Sequence, residues 1–133
     1  MFKRVEIPVI SDSVLGDVRL PEYKSDASST MEVFALSHGK TRIRSGEFEL
    51  IRTGVSFGVP KGFEILVRSS YEQVKELGLI VLGAPLTIDA NNREELLVPV
   101  YNASKHTIII EHEMLIAEIS IAPVLEVALK EIG

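Results

Sequence analysis

Two short stretches hold residue types that could do chemistry together. Arg68-Ser69-Ser70 closes a strand-like stretch that begins at Glu64. An arginine there offers a planar, permanently charged fork suited to phosphate, and the adjoining serines add hydroxyl or backbone donors. Further along, Leu86-Thr87-Ile88-Asp89 leads into Asn91-Asn92. An aspartate in a hairpin at that point can hold a sugar, or orient a water if it lies within hydrogen-bond reach of the nucleophile. Each group also has a plainer reading. Arg68 is then an exposed strand-end cation, Ser69 a turn serine, and Asp89 a turn former before two asparagines.

The elements that must position these groups are mostly strands. Val5, Ile7 and Val9 alternate with Glu6, Pro8 and Ile10, predicting an edge strand with one buried face. Residues 11–30, rich in Ser, Asp, Lys and Pro, read as a long irregular passage. Met31 to Leu36 predicts a strand, and Gly39, Lys40, Ser45 and Gly46 mark turns. Phe48 to Val59 reads as one strand or two, interrupted near Gly54 and Gly58, and Glu64 to Arg68 as another.

The period then changes. Ser70-Tyr71-Glu72-Gln73 fits a capping box, the following residues through Leu77 favour helix, and Gly78 suits its stop. Strand patterns resume over Leu79–Gly83, Leu96–Asn102, Thr107–Ile110 and Met114–Ala122. Short strands at this spacing, with one short internal helix, predict an all-β barrel or sandwich. The tail from Leu125 to Gly133 is open: its alternation suits a strand and its composition a helix. Ile108-Ile109-Ile110 is apolar on both strand faces, which predicts burial on both.

Composition narrows the function. A chain of 133 residues is expected to form a single domain, 1–133. Its net charge of −5 without a Lys/Arg cluster argues against nucleic acid as a partner, although a nucleotide needs only a few local cations. No apolar run approaches the ~20 residues that span a membrane, and Met1-Phe2-Lys3-Arg4-Val5-Glu6 lacks a secretory apolar segment. The absence of cysteine excludes disulfides and thiolate metal sites and fits a cytoplasmic location. In Glu111-His112-Glu113, strand alternation would put the histidine on the face opposite the carboxylates, so an exposed polar turn is expected rather than a metal site. His38 and His106 are solitary and read as loop residues.

Four segments, in order and at matching spacing over about residues 5–124, resemble the homotrimeric dUTPase family. They are Leu20-Pro21-Glu22-Tyr23 with Ser29-Thr30-Met31-Glu32-Val33-Phe34-Ala35; Arg68-Ser69-Ser70; Leu86-Thr87-Ile88-Asp89-Ala90-Asn91-Asn92-Arg93-Glu94-Glu95; and Glu113-Met114-Leu115-Ile116-Ala117-Glu118. The resemblance implies a jelly-roll β-barrel in a homotrimer, with sites between subunits. Arg68, Ser69, Ser70 and Glu118 would face phosphates; Gly83, Leu86, Ile88 and Asn92 would face the nucleoside; Asp89 would orient the attacking water. Glu32 would help hold Mg2+ through water, as a hard oxygen ligand one methylene longer than the family's aspartate. Related dCTP deaminases carry a catalytic glutamate where this chain has Val98-Pro99, which disfavours deamination.

Several positions depart from the family pattern. Leu86 and Glu94 replace glycines, Asn92 replaces a tyrosine that packs under the deoxyribose, and Gly83 falls where an asparagine is common. Glu118 replaces a glutamine, and two unit charges 4 Å apart at a dielectric near 20 repel by ~4 kcal/mol, enough to weaken phosphate binding roughly a thousandfold unless a cation intervenes. The family's glycine-rich closing segment does not occur in these residues. The expectation is therefore a non-catalytic trimer, a structural or interaction module with an unidentified protein partner. The alternative is a divergent Mg2+-dependent diphosphatase that converts dUTP to dUMP and diphosphate.

Overall fold

The computed structural model describes residues 4–12 and 16–133. The N-terminal Met1-Phe2-Lys3 and residues 13–15 of the irregular passage lie outside the described residues. The strands are β1 (Val9–Ser11), β2 (Glu22–Tyr23), β3 (Met31–Phe34), β4 (Thr41–Ile43), β5 (Phe48–Phe57), β6 (Phe63–Arg68), β7 (Leu79–Val81), β8 (Leu86–Ile88), β9 (Glu95–Asn102), β10 (Ile108–Ile110) and β11 (Leu115–Pro123), with helix α1 (Tyr71–Leu77) after β6. They form a sheet of order β1-β5-β9-β7, a sheet of order β2-β3-β11-β6-β8, and the small pair β10-β4. The strand pairs are antiparallel, as the predicted all-β class requires.

The two large sheets bury their facing residues in one core. Val98 and Val100 of β9, Ile65 and Val67 of β6 and Ile119 of β11 are essentially inaccessible. Each such side chain contributes about 1.5–3 kcal/mol of burial. The alternation in β9 is strict: Leu96, Val98, Val100 and Asn102 face in, while Leu97, Pro99 and Tyr101 remain at least partly open. Asn102 can sit in the core because its side chain is saturated. Its amide donates to the carbonyls of Ile43 and His106, and its Oδ1 accepts from the Ser104 amide and hydroxyl.

Helix α1 starts and stops as its local sequence dictates. The Ser70 hydroxyl accepts from the Gln73 amide, and Gly78 ends the helix at φ 72°. The box is not closed as expected, because the Gln73 side chain donates instead to the Leu115 carbonyl, at 2.7 Å, and pins α1 to β11.

Other expectations are corrected. The N-terminal strand is only Val9–Ser11, and Val5 and Val9 are exposed rather than buried, with β1 paired to β5 at the edge of its sheet; of the three predicted inward residues only Ile7 packs against the core. Gly54 does not split Phe48–Phe57 but forms a bulge within it, at φ 73°. In β10, Ile108 and Ile110 are buried while Ile109 is open, so only one face packs in this chain. The tail from Val124 to Gly133 is neither strand nor helix, and Leu125, Leu129 and Ile132 are almost fully exposed. Glu111-His112-Glu113 is the expected exposed turn, with Glu113 at φ 65° and the His112 Nδ1 accepting from the Ser37 amide.

Candidate nucleotide site

The segment read as a hairpin around Asp89 is not a paired hairpin. Its first arm, β8, pairs with β6 in one large sheet, and its second arm, β9, pairs with β5 and β7 in the other. The chain between them, residues 89–94, crosses from sheet to sheet, and the arms splay. A cleft of about 220 Å3 opens between them, lined by Val67, Leu86, Thr87 and Ile88 on one side and by Asn92, Glu94, Glu95, Leu96 and Leu97 on the other. The walls combine aliphatic side chains with the polar Thr87, Asn92, Glu94 and Glu95, a lining suited to a flat ligand read by a few hydrogen bonds.

The loop is held by its own short bonds. The Asn92 amide donates to the Asp89 carbonyl, the Glu94 amide to the Asn92 Oδ1, and the Arg93 guanidinium to the Ala90 carbonyl. Asn92 thus lines the cleft and shapes the turn at once. Ile88 is a core residue beneath the cleft, while Leu86 is half-buried in its wall. Gly83 is exposed at φ 80°, and a Cβ there would meet the Leu86 Cδ2 at 3.5 Å. Asp89 is exposed at the end of the β8 arm.

Arg68 follows Val67, which is paired to Leu86, so the cation stands at the strand end beside the β8 arm. It is exposed. The two serines differ in use. Ser70 is buried as the helix cap. The Ser69 Oγ accepts from the Val81 amide at 2.8 Å, tying the strand end to β7, and keeps its hydroxyl proton to donate.

Strand register assembles a charged row that lies far apart in sequence. Glu22 is opposite Glu32, Glu32 opposite Glu118, and Glu118 opposite Arg68. Directly paired residues project on one face with Cβ atoms roughly 4.5–5.5 Å apart. Thr30 donates its hydroxyl to the Glu118 Oε1 at 3.0 Å. Among the described residues no group of three or more His, Cys, Asp or Glu side chains converges as a metal cluster. Two carboxylates plus substrate phosphates are, however, the donor set that Mg2+ commonly takes. Glu32 and Glu118 fit that ion on this ground.

Glu95 and Arg52 escaped the sequence reading. Arg52 donates from Nε to the Glu95 Oε2 (3.0 Å) and from Nη2 to Oε1 (2.6 Å), and the Gly54 amide donates to the same carboxylate at 3.1 Å. The Arg52 fork holds the Glu95 carboxyl below the usual carboxylate range, against an opposing effect of partial burial. The mid-strand Thr53-Gly54 pair was the one signal of a bulge. Nothing in sequence joins it to a glutamate so far along the chain.

Two antiparallel sheets closed over one core, with a cleft between arms that change sheets, form a β-barrel of the kind seen in solved dUTPase structures. The dUTPase of Staphylococcus bacteriophage 80alpha superposes with a TM-score of 0.84 over 96% of both chains at 18% identity. That of Streptococcus mutans gives 0.76 over 92% of this chain and 98% of the other, also at 18% identity. A phage phi11 dUTPase mutant, described as revealing the coordination of a structural Mg(II) ion, gives 0.84 over 96% of this chain and 97% of the other at 18% identity. In sequence, the chain is 34% identical over 126 residues to the deoxyuridine 5'-triphosphate nucleotidohydrolase of Desulfotalea psychrophila, covering 95% of this chain and 84% of that one. It is 38% identical over 112 residues to that of Chlamydia trachomatis, covering 84% and 77%. No family model matches the chain. The chain belongs to the dUTPase family. The expectation of a non-catalytic module gains no support from these relatives, which are named as hydrolases; the alternative reading fits them better.

Proposed function

We propose that this protein is a dUTP diphosphatase, hydrolysing dUTP to dUMP and diphosphate. The observation that carries the reading is the cleft between the splayed arms, with Asp89 on its loop and Arg68-Ser69 on the neighbouring strand end. The 34–38% identity to nucleotidohydrolases supports it. In this reading the nucleoside enters between β8 and β9, against Leu86, Ile88 and Asn92, with Gly83 at the outer end of the β8 arm. The phosphates run towards Arg68 and the Ser69 hydroxyl. Ser70 acts from beneath as the cap that fixes the Arg68-Ser69 turn. Asp89 orients a water that attacks the α-phosphorus and takes its proton; the bond from that phosphorus to the bridging oxygen breaks, and diphosphate departs with that oxygen.

Mg2+ fits as the cofactor, held by Glu32 and Glu118 with the substrate; when bound it offsets phosphate charge. Glu118 then serves as a ligand rather than a repulsive intruder. The working form is a cytoplasmic homotrimer of single domains, residues 1–133. Its self-association is supported by an open apolar strip on the outer face of β5 and β9, where Phe48 opposes Tyr101 and Leu50 opposes Pro99.

The test is turnover of dUTP with Mg2+, read as diphosphate release, beside Asp89→Asn. Steady release by the native protein that falls at least about a hundredfold in the variant is expected, within the range that a positioned base supplies. No release, or release indifferent to the substitution, refutes the reading.

A further inference from the structure

Glu95 has no part in the reaction outlined above, yet it is the most heavily bound carboxylate beside the cleft. It is the first residue of β9, where the crossover loop rejoins a sheet. Its carboxylate fills the bulge in β5. Between the pairs Arg52–Leu97 and Ser56–Glu95, three residues of β5 oppose the single Leu96 of β9. The surplus backbone is absorbed by specific bonds: Gly54 donates to Glu95, and the Thr53 hydroxyl donates to the Leu96 carbonyl. Gly54 has φ 73°, and a Cβ there would lie 2.7 Å from the Val18 Cγ2, so the bulge has no room for a side chain.

Arg52 also reaches the N-terminal strand. Its Nη2 lies 3.5 Å from the Asp12 Oδ2, and the Asp12 amide donates to the Gly54 carbonyl at 2.8 Å. The charged cluster thus ties three strands together at the root of one cleft arm, while Glu95 itself lines the cleft. On its other side is an open hollow of about 360 Å3 bounded by Ile10, Asp12, Gly54 and Ser56. The core packs one face of this root, through Val55 and Leu96, and the charged pair occupies its other face. A bidentate arginine–carboxylate pair has strict planar geometry, so it can set the arm's angle on the face turned away from the core.

We propose that the Arg52–Glu95 pair, seated in the Gly54 bulge, is a positioning device that fixes the second arm of the cleft and so sets how well the cleft discriminates between bases. This rests on the proposed nucleotide site, since the cleft must be where the base binds. The reason is mechanical. Leu96 and Leu97 follow Glu95 directly and form one wall, while the opposite wall is carried by the other sheet. A change in the angle of one arm alters the width of the gap. Discrimination depends on polar groups that stay unpaired with the wrong base, and a loosened gap lets water satisfy them.

The test uses Glu95→Gln, Arg52→Lys and the double variant in the full chain, with dUTP and dCTP as substrates. Glu95→Gln keeps the volume and an acceptor for the Gly54 amide but loses the charged fork. Expected is a rise in KM for dUTP of roughly tenfold, below the hundredfold that a 1 Å misplacement can cost, with kcat reduced far less. The preference for dUTP over dCTP should shrink by a similar factor. Arg52→Lys should fall between, and the double variant should be no worse than Glu95→Gln. A purely structural pair would lower thermal stability and leave KM and base preference unchanged well below the melting temperature. That result overturns the proposal.

If the native protein turns over no dUTP, the functional reading fails separately. The positioning role is then judged by amide exchange. Glu95→Gln should speed exchange across residues 89–97 while β11 stays protected; unchanged exchange in that loop would overturn it.

Discussion

Glu118→Gln should change nucleotide affinity in opposite directions with and without magnesium. Glu118 sits between Glu32 and Arg68 in register, with Thr30 hydrogen-bonded to it. Neighbours paired in this way lie ~5 Å apart at Cβ. A unit charge at that distance is worth about 0.8 kcal/mol in water and about 3 kcal/mol at an effective dielectric near 20. Glu118 is half-buried, so about 1.5 kcal/mol is a reasonable middle value, or roughly tenfold in affinity. Without metal, the carboxylate stands beside Arg68 in the ladder and repels an incoming phosphate. Removing its charge should tighten a non-hydrolysable dUTP analogue by up to that factor. With Mg2+, the same carboxylate would serve as a ligand, and its loss should weaken the analogue. Fold stability should barely move, because relief of the Glu32 repulsion offsets the lost Arg68 attraction. Calorimetric titration in EDTA and in Mg2+ measures both affinities. An equal ratio of variant to native affinity in the two conditions would refute the placement of Glu118 beside the phosphates.

Asn102→Ala should destabilise by about 3 kcal/mol, since it removes four hydrogen bonds and leaves the buried Ile43 carbonyl short of a partner; urea unfolding with an unchanged slope checks it, and a loss under about 1 kcal/mol would contradict the hub role. Glu95 gives a pH signature. Its folded pKa is depressed from 4.5, mainly by Arg52, so its contribution is fully present above that value and is lost as pH falls through the lower folded value. Acid unfolding of the native protein should therefore be steeper below the ordinary carboxylate range than that of Glu95→Gln, and superimposable curves would exclude the linkage.

Local signals determined what is local in this protein. Ser70 and Gly78 bound α1 because a cap needs only neighbours within a turn, and both act in the structure as their types dictate. Alternation over Leu96–Asn102 marks a strand with one buried face, because the side-chain period is a property of extended backbone. The ordered segments around Glu32, Arg68, Asp89 and Glu118 placed the chain in its family, as the relatives bear out. The apparent losses in those segments, by contrast, led to an expectation of inactivity that the relatives do not support. Type alone does not say what a side chain meets.

Contact was decided by pairings between distant residues. The arms on either side of Asp89 look like a hairpin in sequence, yet each hydrogen-bonds to a different sheet, and that divergence opens the cleft. Glu22, Glu32, Glu118 and Arg68 form one row only because β2, β3, β11 and β6 align in register. Arg52 meets Glu95 only because a bulge at Gly54 shifts that register. A shift of one residue in any of these ladders would turn every side chain to the other face, and the energy that selects the register comes from the whole core. For that reason the chemistry-bearing residues could be named from the chain, but their partners could be assigned only in the folded barrel.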